Sequence, residues 1–188
     1  DDKADSQGIY FGIANHAIVS ITADVRVDQY AAPSTNETLD WAMTFGLATV
    51  GGDDISMVPQ ISPYIASQTG KARVFAAGLT PSPTFDNADL GATSLSTNTW
   101  YNFDVTINRN TGNVSATVTD IAASNVVVNG SHTIAGWSGF AVESQYNSVV
   151  FYDGELSSVS SNNIAFLDNV TVTAGAVPEP SSFLFLML

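Results

Sequence analysis

Paired carboxylates would indicate glycoside hydrolysis, because that reaction needs two of them at a fixed separation, about 5–5.5 Å in a retaining enzyme. The four Glu residues are scattered along the chain. Two acidic pairs have the spacing of side chains on one strand face, Asp153 with Glu155 and Asp24 with Asp28. The first pair lies in a predicted turn, and Arg26 between the members of the second is typical of a solvated polar face. The sequence therefore predicts no catalytic residues and a protein that is not an enzyme.

The residue types exclude several other chemistries. The chain has no Cys, so it lacks disulfides, thiolate zinc sites and thiol nucleophiles. Its two histidines, His16 and His132, are far apart in sequence, and no Ser lies in a Gly-x-Ser-x-Gly motif. With Lys+Arg 5 against Asp+Glu 18, the formal net charge is −13. That charge opposes nucleic acid and anionic membranes as partners.

One predicted strand places sugar-binding residue types together. Because side chains alternate along a strand, Trp100, Asn102 and Asp104 share one face of the segment 99–108. Lectin-like sites combine an aromatic platform with polar groups that hydrogen-bond hydroxyls, so these three residues are candidate glycan ligands. Trp137, which is close to two glycines, is a second candidate platform. The alternative is that Trp100 caps the core from the start of its strand.

The elements that must position these residues are strands. Apolar residues recur with a period of two along most of the chain, as in the segment 18–28, where the odd positions are apolar. No segment has a helical apolar stripe, and Gly70 and Gly112 mark two hairpin turns. The predicted strands are 18–28, 38–49, 60–67, 71–77, 99–108, 113–120, 125–128, 136–143, 148–152 and 163–173, with a long loop over 79–98. This pattern predicts an all-β fold, an antiparallel sandwich of two sheets over residues 8–174.

Two segments resemble a known family in this class. Residues 99–107, followed by Thr111, Gly112 and the strand 113–118, are similar to the central hairpin of concanavalin A-like lectin and glucanase domains. The segment 165–172 resembles the last strand of such jelly rolls. The resemblance implies a jelly-roll sandwich and a sugar-related function.

Calcium is the cofactor that the resemblance suggests. By parity, Asp168 falls with Ile164, Phe166 and Val170 on the apolar face of the last strand, where a carboxylate must be paired or coordinated. In similar jelly rolls an Asp at this place contributes to a structural Ca²⁺ site, which Asp28 or an N-terminal carbonyl could complete. The alternative is an Asp168 that accepts hydrogen bonds from the backbone.

The end of the chain carries a second resemblance. A linker over 175–182 precedes a short apolar tail, 183–188. Together they resemble the start of a PEP-CTERM sorting signal, which an exosortase processes in Gram-negative bacteria that make exopolysaccharide. The apolar stretch has six residues and no following Arg cluster. The tail also has the composition of a segment that adds to a sheet edge. The residues assigned to sorting or assembly are Val177, Pro178, Glu179, Pro180, Phe183, Leu184, Phe185 and Leu186.

These observations predict a secreted, non-enzymatic structural protein of the cell surface or extracellular matrix of a Gram-negative bacterium. The polar lead over residues 1–7 is typical of a mature terminus after secretion. Self-association into oligomers or filaments through the tail is expected. The alternative function is a lectin-like module that binds exopolysaccharide, and a glycoside hydrolase or lyase comes third.

Overall fold

The part of the chain that the structure describes consists of strands and the turns between them. The computed structural model describes residues 9–12, 16–30, 40–48, 50–51, 54–55, 60–66, 69–79, 84–137, 148–155 and 164–175. The strands in these residues are β1 (Ile9–Gly12), β2 (Ile18–Gln29), β3 (Asp40–Ala48), β4 (Val50–Gly51), β5 (Asp54–Ile55), β6 (Gln60–Ala66), β7 (Lys71–Leu79), β8 (Thr84–Ser94), β9 (Trp100–Asn108), β10 (Asn113–Asp120), β11 (Asn125–Thr133), β12 (Ser148–Glu155) and β13 (Ile164–Gly175).

The strands form two main antiparallel sheets. One sheet has six strands in the order β1-β12-β3-β6-β7-β8, and the other has five in the order β11-β10-β9-β2-β13. The short strands β4 and β5 pair separately. The predicted all-β, two-sheet sandwich is therefore confirmed.

The core lies between the two sheets, and the central strands of the five-stranded sheet bury every second residue against it. Along β2, burial alternates from Val19 to Val27, as the period-two pattern predicts. Across the core, Phe45 of β3 meets Phe103 of β9 edge to face, with ring centroids 4.9 Å apart at 68°. Both rings are almost completely buried. The predicted turns at Gly70 and Gly112 are present, and both glycines have positive φ.

The segment 79–98 contains a strand where a loop is predicted. Pro81 and Pro83 precede β8 and do not interrupt it. The pairing of β8 with β7 shifts register between Asp89 and Ser94, so Gly91 lies in a bulge. The prediction failed because β8 is an edge strand, whose polar and glycine residues obscure the alternation. Asp86 and Asp89 both lie in this strand.

Two further predictions need correction. Strand β11 continues to Thr133, beyond the predicted end at residue 128. The predicted strand 136–143 does not begin at Gly136, which lies in a turn with φ 73°. Residues 138–143 lie outside the described part of the chain, as do the lead over 1–7 and the segment 176–188.

The edge strands of the two sheets meet through a carboxylate. Asp86 of β8 lies 2.7 Å from Nε2 of His132 on β11 and accepts a 2.7 Å hydrogen bond from the Ala135 N–H. Burial by itself would raise the pKa of Asp86. The bonds from Ala135 and His132 outweigh that effect, so the pKa lies below its ordinary value of 3.8. Asp86 therefore stabilises the contact between β8 and β11 while its carboxylate is ionised.

Replacing the Asp86 carboxylate should make the free energy of unfolding depend less on pH in the acidic range. Because the pKa of Asp86 is lower in the folded chain, its stabilisation is present above about pH 4 and is lost as the pH falls through the folded value. Asp86→Asn is expected to lower the free energy of unfolding by about 1–2 kcal/mol at neutral pH and by much less at about pH 3. Urea unfolding at both pH values measures the difference.

Asp120→Asn is the matched control for this prediction. Asp120 also accepts a backbone hydrogen bond, from Ala123, but has no ion pair among the described residues. It should lose less than about 0.5 kcal/mol. Equal acid sensitivity in the wild-type chain and Asp86→Asn would contradict the role given to Asp86.

Candidate functional site

The outward face of the five-stranded sheet brings aromatic, amide and charged side chains together. We call it the Trp100 face, and it is formed by outward residues of β9, β2 and β13. They are Trp100, Asn102, Asp104, Asp24, Arg26, Asp28, Phe166, Asp168 and Asn169. Strand alternation turns the β9 and β2 residues outward because their sequence neighbours point into the core. In β13 a bulge places the adjacent residues Asp168 and Asn169 on the same face.

A cation lies between two rings at one end of this face. In the register of the sheet, Arg26 is opposite Trp100 on one side and Phe166 on the other. Its guanidinium carbon is 5.1 Å from the Trp100 ring centroid and 4.6 Å from that of Phe166. Both distances are within the range of cation–π attraction. Phe166 remains 42% exposed, so part of its ring is free for other contacts.

The same guanidinium is held in its own strand. Arg26 donates to Asp28 through Nε at 2.6 Å and through Nη2 at 3.0 Å. This bidentate pair restricts the orientation of the guanidinium, and with it the positions of the flanking rings. Arg26 is therefore a positioning group within the Trp100 face.

Next to the stack, two amides share one carboxylate. Asn102 Nδ2 donates to Asp24 Oδ1 and Asn169 Nδ2 donates to Asp24 Oδ2, each at 2.7 Å. Both oxygens of Asp24 are therefore engaged. Each amide retains a second N–H and a carbonyl oxygen without a partner among the described residues. These free groups match the donors and acceptors of sugar hydroxyls.

The structure places three of the four predicted glycan ligands on this face and the fourth elsewhere. Trp100, Asn102 and Asp104 share it, as alternation predicts. Trp137 lies near the far end of β9, where its Nε1 donates to the Arg109 carbonyl at 2.8 Å. Its ring packs so closely on Gly112 that a Cβ there would lie 2.4 Å from the Trp137 Cγ. Trp137 therefore caps the β9–β10 turn and is not part of the Trp100 face.

The predicted calcium ligands do not share a site. Asp168 is exposed on the outward face, because a bulge at Asn169, with φ 49°, shifts the parity of β13. Its Oδ1 accepts the Asn169 N–H at 2.8 Å. Asp168 pairs with Asp24, four residues before Asp28, so the two predicted ligands are about 13 Å apart along the strand. The placement of Asp168 on the apolar face was wrong, and the pair Asp28 and Asp168 cannot hold one ion.

No other metal site replaces it in the described part of the chain, where no three His, Cys, Asp or Glu side chains converge. Whether the whole chain binds calcium stays a prediction. The acidic pair Asp153 and Glu155 lies in β12, outside the residues whose side chains the structure describes.

Four members of the Trp100 face were not among the predicted site residues: Arg26, Phe166, Asp24 and Asn169. Alternation had placed Arg26 and Asp24 on a polar face of β2, but only the strand order makes β2 the neighbour of β9. The bulge in β13 concealed Phe166, which the uninterrupted pattern assigned to the core.

The outward face of the six-stranded sheet is a less open surface. Tyr64 donates to Asn87 Oδ1 at 3.1 Å, and Asp89 lies 2.7 Å from Arg73 Nε and 2.9 Å from Lys71 Nζ. Tyr64 is only 1% exposed, and burial raises the pKa of its hydroxyl. Phe75 on the same face is also buried. In the described residues, the exposed part of this face is therefore confined to its β7–β8 margin.

None of the described residues forms a helix with the length and apolarity needed to cross a membrane.

The sequence matches no protein-family model and no curated protein. Solved structures nevertheless share its fold. Full-length tailspike protein 2 from Escherichia coli O157:H7 bacteriophage CAB120 aligns with a TM-score of 0.54 at 12% identity, over 90% of this chain and 22% of that chain. The enzymatically active domain of tailspike protein 2 aligns with a TM-score of 0.52 at 14% identity, over 90% of this chain and 24% of that chain. The chain thus spans less than a quarter of either tailspike chain.

A third solved structure aligns over most of its length. The exoplasmic/lumenal domain of VIP36, in its Ca²⁺/Man-bound form, gives a TM-score of 0.52 at 8% identity, over 93% of this chain and 76% of that chain. At these identities the similarity establishes the fold and not the activity. This chain has a concanavalin A-like jelly-roll fold.

Proposed function

We propose that this chain is a secreted, non-enzymatic protein of the cell surface or extracellular matrix whose sandwich binds carbohydrate through the Trp100 face. One observation carries the proposal: a partly exposed cation–aromatic stack lies beside amides that have free hydrogen-bonding groups. Sugar rings present C–H surfaces to aromatic rings and hydroxyls to amides and carboxylates. A single sugar ligand could therefore contact both the aromatic stack and the amide and carboxylate groups beside it.

Preorganisation supports the same proposal. The Arg26 guanidinium is held by Asp28 and flanked by both rings, and Asp24 orients both amides. Because these side chains are already ordered, a ligand would not have to restrict them on binding. Exposed single aromatic residues without such support are common on protein surfaces, whereas this arrangement spans three strands.

The geometry of the acids is the reason for proposing binding without catalysis. Asp24 and Asp28 are about 13 Å apart along β2, beyond the roughly 5–9.5 Å that glycosidases use. Asp168 does lie opposite Asp24, but its Oδ1 accepts the Asn169 N–H. Asp24 also has both oxygens engaged by amides. A reducing-end assay on any glycan that binds tests this part of the proposal, and turnover that requires Asp24 would overturn it.

Removing the platform should weaken glycan binding. Trp100→Ala is expected to reduce affinity at least tenfold because it removes one ring and frees Arg26, and Phe166→Ala should act in the same direction. Affinity electrophoresis against a panel of neutral and acidic polysaccharides, followed by calorimetry on the best binder, measures the change.

Ser131→Ala is the matched control, since Ser131 is exposed on the distant edge strand β11 of the same sheet. It should bind as the wild-type chain does. Urea unfolding of each variant separates lost binding from lost folding. Equal affinity in Trp100→Ala and the wild-type chain would exclude the Trp100 face.

For residues 177–188 we propose a role as a PEP-CTERM sorting signal that also promotes self-association. Support comes from the Val177–Pro180 motif and the apolar tail in the sequence alone, because these residues lie outside the described part. Light scattering and negative-stain microscopy of residues 1–188, beside a chain ending at residue 176, test the assembly. Oligomers or filaments that need the tail would support it, and two monodisperse monomers would oppose it.

A further inference from the structure

We infer that the Trp100 face selects neutral glycans and rejects polyuronates. This inference rests on the proposed function and specifies the class of ligand. It follows from the way charge is distributed and compensated on the face.

The single cation of the face has little capacity left for a ligand anion. Among the described outward residues, Arg26 is the one basic side chain on the Trp100 face. Asp28 takes two of its hydrogen bonds, and Trp100 and Phe166 flank its guanidinium. A carboxylate of a ligand would have to displace Asp28 or bind at the remaining edge of the guanidinium. The usual route for recognising a uronate, a bidentate bond to arginine, is therefore occupied.

Three carboxylates on the same face have no compensating cation. No ion pair involves Asp24, Asp104 or Asp168 within the described residues. With Asp28, the Trp100 face carries four carboxylates and one guanidinium, a formal balance of −3. Asp104 and Asp168 are exposed, so their charge acts directly on anything that binds there. A ligand carboxylate is repelled by these groups and cannot donate a hydrogen bond to them.

Neutral hydroxyls have the opposite interaction with this surface. A hydroxyl donates to a carboxylate in a charge-assisted hydrogen bond, and Asp104 and Asp168 both offer exposed oxygens. The free amide groups of Asn102 and Asn169 add donors and acceptors beside them. The face is therefore rich in acceptors, which suits a polyol without charge of its own.

The expected discrimination is moderate and depends on salt. For a uronate charge about 6 Å from three carboxylates, Coulomb repulsion in water gives about a tenfold loss of affinity at 20 mM salt. The loss falls to about fivefold at 150 mM salt as screening increases. The salt dependence identifies the effect as electrostatic.

The experiment compares one polymer in two charge states. Polygalacturonate and its carboxyl-reduced, neutral form are titrated into the full chain by calorimetry, in EDTA, at 20 and 150 mM salt. The neutral polymer is expected to bind at least about fivefold more tightly at the higher salt, with a larger gap at the lower. Asp104→Asn combined with Asp168→Asn should reduce the difference in affinity between the neutral and the charged polymer to about twofold. Asp89→Asn removes a charge from β8 of the opposite, six-stranded sheet and should leave the difference in affinity unchanged.

The outcomes separate this inference from the proposed function. Equal or tighter binding of the charged polymer, lost in Trp100→Ala, would overturn the charge selection while leaving carbohydrate binding intact. Tight polyuronate binding that appears only when Ca²⁺ replaces EDTA would also overturn the selection, because a cation would then bridge the carboxylates. If the chain binds neither these polymers nor any glycan of the wider panel, the proposed function fails. A neutral preference that survives in Trp100→Ala would overturn both, since the binding would lie elsewhere.

Discussion

Gly130→Ala is expected to cost about 3 kcal/mol or more in the free energy of unfolding. A Cβ at this position would lie 1.9 Å from the carbonyl oxygen of Leu90 and 2.8 Å from its carbonyl carbon. Both atoms belong to the backbone of β8, so no side-chain rotation relieves the overlap. The change must separate β8 from β11, where the edges of the two sheets meet. Urea unfolding followed by tryptophan fluorescence measures the loss.

The chain offers a matched control in Gly175→Ala. Gly175 is also in a strand, but its nearest neighbours would be Ile18 atoms 3.8 and 3.9 Å from the added Cβ, which is ordinary contact. Its stability should change by less than about 0.5 kcal/mol. Similar effects of the two substitutions would contradict the close approach of β8 and β11. If Gly130→Ala does not fold at all, hydrogen exchange at β8 in a milder variant, Leu90→Ala, examines the same edge.

Phe103→Ala is expected to be the most damaging substitution among the core side chains, with a loss of about 3–5 kcal/mol. Phe103 is 2% exposed and contacts Phe45 edge to face across the two sheets. Its removal takes away buried apolar area and leaves a cavity that strands on both sides hold open. Chemical denaturation at 25 °C measures the effect.

A double-mutant cycle isolates the pair itself. Phe45→Ala, Phe103→Ala and the double variant should give a coupling energy of about 0.5–1.5 kcal/mol, the value typical of aromatic pairs. Leu is the substitute if an alanine variant fails to fold. Val126→Ala is the control, because Val126 is 55% exposed and should lose little stability. Additive effects of the two phenylalanines would show that they do not pack together in solution.

The substitutions that test function should affect a smaller part of the structure than Gly130→Ala and Phe103→Ala do. Gly130 and Phe103 act on the whole sandwich, whereas Trp100, Phe166, Asp104 and Asp168 lie on its outer surface. Variants of that surface should therefore change ligand affinity with small effects on unfolding. This separation makes the Trp100 face testable in folded protein.

Sequence patterns were sufficient for the fold class and for several strands because those properties are local. Alternation identified β2, β9 and β10, and the turn glycines Gly70 and Gly112 joined the correct hairpins. The same alternation placed Trp100, Asn102 and Asp104 on one side of β9. Each of these results depends only on neighbours along the chain, where side-chain period and backbone sterics act.

Local patterns of this kind did not identify the edge strand β8 or the bulge in β13. The sequence of β8 does not look like that of a strand, because it contains Asp and Gly, it has a bulge at Gly91 and part of it packs against β11. In β13, the bulge at Asn169 moved Asp168 from a predicted core position to the surface. A bulge adds one residue to one strand, so every parity argument that crosses it is reversed.

By itself, the sequence determined an acidic all-β sandwich with a sugar-compatible strand face and a distinctive tail. Only the tertiary structure decided which strands are neighbours, and so which side chains meet. Phe166, Arg26 and Trp100 come from three separate strands, and they stack because β13, β2 and β9 pair in one register. Pairing between strands so far apart in sequence is set by packing of the whole core, which no local pattern contains.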